Sequence, residues 1–506
     1  ASTLTSLFSP ASLAVIAACT LYGTFIGAMP GLTATMAVAL LVPFTYFMDP
    51  LIAISAIVAT TTTAIFAGDV PGTLMRIPGT PASAAYVEDA YRLSRAGRSR
   101  STLMVSLFAA CIGGLVGVAL LALIAPQLAR VAVQFSSFET FWLACLGLSC
   151  AVLTSNGSVA KSFSSLFLGL FIATIGIDVA VGHPRFTFGN YELFDGISFI
   201  PAIIGLFALS EILRSAQIGH RDQPANAVQE SFSKALHEAA LVLRRFKRNI
   251  ARSSVLGTLI GALPGAGADI AAWICYAISR RFSRHPERYG TGYIEGVTDG
   301  GSANNAAIGG AWTPALVFGI PGDSVTAIAI GILLLNGMSP GPQIFTESPE
   351  LVHTLYGAFA LSNLAMIPAG LLVIMASSQV VRIPRRVLMP CVLLFSLVGA
   401  YAITNSVIAI WTVLALGALG YAMEANGFPL APAILGIVLG TIVEENFMTS
   451  MMKAQGDLLA FFDRPWAAAL GTLTLLLWAL LLTRGIYESV QRRRYPSPSS
   501  ETETYP

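Results

Sequence analysis

The sequence predicts an all-α polytopic membrane protein, with about 11–12 transmembrane helices in two inverted-topology repeats that contain broken helices and re-entrant hairpins. Three observations carry that prediction: a shortage of charge, long charge-free apolar runs, and an internal repeat whose equivalent loops differ in charge. Of 506 residues, 55% are hydrophobic and 11% charged, against roughly 25% charged in soluble proteins. Mean hydropathy is +0.71. A soluble fold of this length exposes more surface than 29 Lys and Arg and 27 Asp and Glu can cover. A soluble enzyme, a disordered chain and a nucleic-acid binder are thereby excluded. The six cysteines lie in or beside apolar segments and form no CxxC pair. They read as small apolar fillers, with no disulfide framework and no transition-metal site.

A spanning helix takes about 20 apolar residues. Residues 1–48 contain no Asp, Glu, Lys or Arg. Further charge-free runs cover 50–68, 101–129, 140–160, 199–210, 303–322, 324–346, 351–381, 387–423 and 465–483. The N-terminal run lacks a positive n-region, so it reads as membrane spans rather than a cleaved signal peptide. The period-2 alternation of a transmembrane barrel is absent.

The repeat is read from three matches in the same order. Leu21 to Gly31 (LYGTFIGAMPG) matches Val255 to Gly265 (VLGTLIGALPG), Ile77-Pro78-Gly79 matches Ile320-Pro321-Gly322, and Gly147 to Gly157 matches Gly417 to Gly427. The chain divides into a first transmembrane repeat at 1–214, a linker at 215–252, a second repeat at 253–483 and a polar tail at 484–506. Arg92, Arg95, Arg98 and Arg100 follow the first Ile-Pro-Gly, whereas the equivalent loop at 336–350 has no Lys or Arg. Conversely, 44–50 has none, while its counterpart carries Arg280, Arg281, Arg284 and Arg288. By the positive-inside rule the two copies have opposite orientation. Strict inversion puts the C-terminus outside, whereas Arg484 and Arg492–Arg494 put it inside, a conflict unless one copy has an extra crossing. The basic segment 232–252 reads as a cytoplasmic amphipathic helix, either lying on anionic lipid or strapping the halves together.

Four Gly/Pro-rich breaks interrupt the apolar runs in matched pairs, Gly27–Thr35 with Gly261–Asp269 and Gly68–Ser83 with Asn304–Ser324. Unpaired backbone at membrane depth is tolerable only where it lines a polar cavity. Helix N-termini at such tips suit a carboxylate, and freed carbonyls with short polar side chains suit a hard cation. The substrate-side candidates are Gly31, Thr33, Pro78, Gly79, Thr80, Ser83, Gly265, Asn304, Asn305, Pro321, Gly322 and Ser324. The ion-side candidates are Asp69, Asp269, Asp299 and Asp323, because an intramembrane carboxylate is costly and usually functional. Na⁺ is the only metal ion this donor set suggests. Arg76, Glu88 and Asp89 read as structural, Lys161, Glu444 and Glu445 as interfacial, and His353 as a packing residue.

The motifs Gly27-Ala28-Met29-Pro30-Gly31, Gly261 to Gly267, Ile320-Pro321-Gly322-Asp323-Ser324, Asn336 to Pro342 and Glu444-Glu445-Asn446 resemble the large membrane subunit of the tripartite tricarboxylate transporter family. The resemblance covers almost the whole chain. It implies a multi-pass protein of the bacterial inner membrane that imports a carboxylate with Na⁺ or H⁺, without other cofactors, by an elevator motion. It also implies two partners, a small membrane subunit of about four helices and a periplasmic solute-binding protein. The acid itself stays open, because citrate, dicarboxylates and aromatic acids share the same carboxylate end. No GxxxxGK[ST] run exists, so the chain itself carries no nucleotide-driven motor. Two other readings are an ion channel, which can also contain repeats although inversion with paired breaks favours alternating access, and an intramembrane aspartyl protease, which leaves the inverted repeat unexplained.

Overall fold

The computed structural model describes residues 7–30, 32–154, 158–178, 182–217, 230–264, 267–380 and 385–494. The described chain is helical almost throughout, with a single two-stranded β-hairpin of Gly176–Ile177 (β1) and Pro184–Arg185 (β2). Seven described helices are long and apolar enough to cross a membrane, and five shorter apolar helices accompany them. The protein is an all-α polytopic membrane protein.

The first half contains α1 (Pro10–Gly27), α2 (Ala34–Thr45), α3 (Pro50–Ala67), α4 (Asp69–Met75), α5 (Val87–Leu93), α6 (Ser99–Ala132), α7 (Ser137–Thr154) and α8 (Val159–Ala173). After the β-hairpin come α9 (Phe199–Ile203) and α10 (Ser210–Gln217), joined through a π-helical stretch at Ile204–Leu209. The second half contains α11 (Phe232–Arg245), α12 (Lys247–Gly261), α13 (Gly267–Phe282), α14 (Ile294–Phe318) and α15 (Ser324–Leu335). Then follow α16 (Ile344–Glu347), α17 (Pro349–Val380), α18 (Arg385–Thr404), α19 (Val407–Ala425), α20 (Leu430–Lys453) and α21 (Pro465–Arg494).

The core is built around α3 and α14. Small residues decide how closely their neighbours approach. A Cβ on Gly23 or Gly27 of α1 would lie 2.5 Å from the Thr60 carbonyl oxygen or 2.4 Å from that of Ala64 on α3. A Cβ on Gly257 or Gly261 of α12 would lie 2.6 Å from the Ala303 or 2.4 Å from the Ala307 carbonyl oxygen on α14. Each pair is a Gly-xxx-Gly stripe that lets two backbones touch where lipid gives no hydrophobic drive for helix pairing. Both stripes sit at matching positions of the two sequence copies.

Chain reversals build two hairpins, α1–α2 and α12–α13. Tyr22 of α1 donates to the Ala37 carbonyl of α2 at 3.0 Å, which ties the first. Trp273 of the second donates to the Pro81 carbonyl at 3.1 Å, which pins it to the bend after α4.

The structure corrects one expected break. Asn304–Ser324 is not an interruption, because α14 runs unbroken through Asn304, Asn305 and Pro314 to Phe318. Burial on every side by α3, α6, α12 and α13 holds these weak helix formers helical, overriding propensity. The true reversal occupies 319–323. Its partner occupies 76–80, since Gly68 keeps right-handed helical angles and α4 directly continues α3.

At the end of the bundle where α6 begins, Asp89 accepts the backbone N–H groups of Gly290, Gly292 and Tyr293 at 3.1, 2.8 and 2.9 Å. The basic loops around Arg92 and Arg288 therefore meet at one end. Arg76 pairs with Glu88 at 2.7 Å, a structural role for both. In the connecting segment, α11 buries Ala235 and Ala239 against α6. Arg98 pairs with Glu238, and Glu230 accepts the Ser101 N–H at 2.9 Å. This helix is a strap, while its exposed basic face carries Lys234, Arg244 and Arg245. Arg185 of the β-hairpin makes a two-pronged pair with Glu444 at 2.7 and 3.0 Å, and Lys161 donates to the Asn426 carbonyl at 2.6 Å. His353, expected to be packed, is exposed on α17 with its ring against the Pro349 carbonyl.

Candidate functional site

The two reversals share one local structure at an offset of 243 residues. Helix α4 ends in left-handed Arg76 (φ 62°), and α14 ends in left-handed Gly319 (φ 67°). Ile77 N–H donates to the Pro71 carbonyl and Ile320 N–H to the Pro314 carbonyl, each at 3.3 Å. Glycine takes the left-handed angle freely, whereas Arg76 carries its steric cost. Next come Gly79 and Gly322, packed against the preceding helix at Gly68 and Ala311. The reversal then closes with a reciprocal cap. Thr80 and Ser83 exchange side chain-to-backbone bonds at 3.1 Å each. Asp323 and Thr326 do the same at 2.9 and 2.7 Å. The second pair is the capping box of α15, satisfying its first free N–H groups; the first closes the bend at 80–83 without capping a helix.

Between these tips lies a cleft lined by Thr33, Ala34, Thr35, Ile65, Thr80, Pro81, Asn304, Asp323, Ser324 and Val325. Thr33 is the N-cap of α2, accepting the Met36 N–H at 3.2 Å, and Asp323 is the N-cap of α15. Two 12-residue helices thus direct their positive ends at one space. The cleft has a volume of about 40 Å³, room for a few polar atoms such as a carboxylate group.

The structure brings together Thr33, Thr80, Asn304, Asp323 and Ser324 out of the sequence candidates. It separates the others. Ser83 spends its hydroxyl on the cap and faces a second, filled space with Asp69, Tyr86 and Ser106. Asp69 accepts from the Tyr86 hydroxyl at 2.8 Å and from the Ser106 hydroxyl. Asn305 donates to the Thr62 carbonyl at 3.2 Å, away from the cleft. Asp299 is held by Asn249 at 3.1 Å, Arg252 at 3.3 Å and the hydroxyls of Ser253 and Ser279. That is a buried ion pair binding α12, α13 and α14 together. Gly79, Pro321 and Gly322 are buried outside the cleft lining, and Pro78 is exposed. Gly31 and Gly265 lie outside the described residues, as does the side chain of Asp269.

Sequence reasoning missed Thr35, Ile65 and Tyr86. It also passed over the Thr60–Thr63 run on α3, which the repeat itself would have flagged. At the 243-residue offset, Thr61 and Thr62 stand where the second copy has Asn304 and Asn305.

A profile of the tripartite tricarboxylate transporter TctA family matches residues 13–435. The chain belongs to that family. An uncharacterized 52.8 kDa protein of the TAR-I ttuC' 3' region of Agrobacterium vitis is 32% identical over 450 residues, covering 89% of each chain. An uncharacterized protein of the TAR-II ttuC' 3' region of the same organism is 35% identical over 179 residues, 35% of this chain and 74% of that protein. No solved structure matches the chain. As a TctA-family chain it is the large membrane subunit of a tripartite transporter, a system that implies two further components.

Proposed function

We propose that this TctA-family chain is the transport pathway of a binding-protein-dependent secondary transporter that imports an organic carboxylate, a tricarboxylate or a related acid, across the bacterial inner membrane. The single observation that carries this reading is the cleft where the N-termini of α2 and α15 converge on Asn304 and Asp323. Helix N-termini offer N–H groups and partial positive charge to a carboxylate. Asp323 adds a negative group beside them, which suits a co-transported Na⁺ or H⁺. A small four-helix membrane subunit and a periplasmic solute-binding protein complete the system, the latter delivering the acid.

The reading of two oppositely oriented repeats draws on the same geometry. Matched reversals, matched glycine stripes and basic loops meeting at one end support it. The offset between copies grows from 243 residues at Ile77/Ile320 to 270 at Gly147/Gly417. The 27 extra residues accommodate one more helix, and α18 supplies 20 of them. An additional crossing in the second copy reconciles inversion with a basic C-terminus on the inner side. Rocking of the cleft-bearing core against the other helices is the elevator motion this arrangement suits.

The test is uptake by the complete tripartite system in proteoliposomes, with a panel of radiolabelled organic acids under Na⁺ or pH gradients. Asn304→Ala is expected to weaken apparent affinity by about 10- to 150-fold with normal protein yield, the cost of one hydrogen bond to a charged group at about 1.5–3 kcal/mol. Wild-type kinetics in Asn304→Ala would remove the cleft as the site. Full uptake by this chain alone would remove the requirement for partners.

A further inference from the structure

Beside the cleft, one hydrogen-bonded chain runs into the core. Asn304, which lines the cleft, donates from Nδ2 to the Tyr86 hydroxyl at 3.4 Å. Tyr86 donates to Asp69 Oδ1 at 2.8 Å, and Ser106 donates to Oδ2. All four side chains are buried, with Asp69 4% exposed. The space around Asp69 is filled, and its lining holds no Lys, Arg or His.

The charged groups on the elements packed around Asp69 are engaged elsewhere. On α5, Glu88 pairs with Arg76 and Arg92, and Asp89 holds the backbone of 290–293 together with the Tyr276 hydroxyl. At the start of α6, Arg98 pairs with Glu238 and Arg100 donates to the Glu230 carbonyl, while Arg130 lies at its far end beside Gln127. On α14, Asp299 is paired with Arg252, and Glu295 accepts from Asn249. Helix α3 and the turn at 83–85 carry no charge. A buried carboxylate with only neutral partners is a costly state, relieved by a proton or by a bound cation. Asp299 shows the contrast, since it has its arginine. The hydroxyls of Tyr86 and Ser106 both donate and accept, so they serve either protonation state of the acid.

We propose that Asp69 is a proton-binding group whose protonation is relayed through Tyr86 to Asn304, switching the hydrogen-bonding face that Asn304 turns to the cleft. The proposal rests on the carboxylate-transport reading above and names the proton as the coupled ion. With Asp69 ionised, Tyr86 O–H points to Oδ1 and accepts from Asn304 Nδ2–H. When a proton from the open aqueous side adds to Oδ1, that oxygen becomes the donor. Tyr86 accepts it and turns its own hydrogen to Asn304. The Asn304 amide rotates to offer Oδ1, and its NH₂ group is left to the cleft, where it donates to a carboxylate. Release of the same proton on the other side reverses each bond. One proton enters, one leaves, and no covalent bond changes except O–H.

The experiment begins with infrared difference spectroscopy of the full-length chain in nanodiscs, titrated with pH and with no substrate present. The expected result is a neutral-carboxyl band that disappears as pH rises, is missing in Asp69→Asn, and is shifted in both Tyr86→Phe and Asn304→Leu. A band unaffected by Asp69→Asn overturns the proton site. A band unaffected by Asn304→Leu overturns the relay. A band abolished by Na⁺ at constant pH overturns the proton in favour of a metal cation. The second arm measures uptake by the complete tripartite system with citrate as probe. The wild-type apparent affinity is expected to fall by up to about tenfold per pH unit relative to Asp69→Asn, the limit for one linked proton. Asp69→Asn carries the same citrate titration and resembles the protonated acid, so it retains acid-pH affinity at alkaline pH. Parallel profiles overturn the coupling. If no form transports citrate, citrate is removed from the substrate reading while the infrared arm still decides the proton site.

Discussion

Substituting Gly79 or Gly322 by alanine tests whether the two reversals are rigid supports for the cleft. A Cβ on Gly79 would lie 2.3 Å from the Gly68 Cα and 2.7 Å from its carbonyl oxygen. On Gly322 it would lie 2.6 Å from both the Ala311 Cα and its carbonyl oxygen. Ordinary contact begins near 3.4 Å, so the tip must lift off its helix by about 1 Å, and backbone atoms cannot rotate away as a side chain would. Overpacking of this kind costs roughly 1–3 kcal/mol. Thr80 and Asp323 are the next residues, so the lift passes directly to the cleft. A misplacement of about 1 Å costs on the order of 100-fold where geometry decides the rate. Uptake by the complete transporter is therefore expected to fall about 100-fold in each variant, more in Gly79→Ala, with a thermal midpoint lowered but a folded fraction retained. Gly485→Ala is the control, since its Cβ would meet only the Val159 side chain at 3.4 Å. If Gly79→Ala and Gly322→Ala transport like Gly485→Ala, the reversals do not position the site.

Single-cysteine labelling in intact cells is expected to reach 92–100 and 280–288 only after permeabilisation, and 44–50 and 336–350 from outside; 44–50 and 336–350 on opposite faces would refute the inverted repeat. Asp323→Asn keeps a good N-cap while removing the charge, so the Na⁺ or pH dependence of uptake is expected to shift at unchanged protein stability; an unchanged ion dependence clears Asp323 of any coupling role. Burial opposes ionisation of Glu238 on the strap, but hydrogen bonds from Ser101 and the Arg98 ion pair hold it below the usual carboxylate range. Its contribution is therefore present above its unfolded value of about 4.3 and lost as pH falls through the lower folded value. Amide exchange across 232–245 is expected to speed up in that acid window in wild type and to be fast at neutral pH in Glu238→Gln.

Much of the fold was legible because its causes are local. Charge-free runs mark spans, and Ile-Pro-Gly followed by a capping residue marks each reversal. The sequence was less informative about α14. Its Gly, Asn and Thr residues read as a break, and packing by α3, α6, α12 and α13 keeps it helical, a tertiary effect that no local pattern carries. The site divided in the same way. Thr33 and Asp323 follow from where helices start. Tyr86 does not, because its importance comes from a fold that places it between Asp69 and Asn304, residues 17 and 218 positions away.

The equivalences also show where function departs from symmetry. Arg76 and Gly319 occupy one backbone position, Gly79 and Gly322 another, and Pro71 and Pro314 a third, so both copies bend the chain with the same hydrogen bonds. At the next equivalent position one copy has Thr80 and the other Asp323. On the central helices Thr61 stands where the second copy has Asn304. Thr80 closes its bend by accepting the Ser83 N–H and Asp323 caps α15, so either residue type serves the frame. With Asp323 and Asn304 both from the second copy and Thr33 and Thr80 from the first, the cleft holds one fixed negative group, one amide and two helix N-termini. Two aspartates at these positions would bring like charges together, and two threonines would leave the cleft without a carboxylate. The two halves build the same support twice and furnish it differently, which gives the cleft an asymmetric donor set.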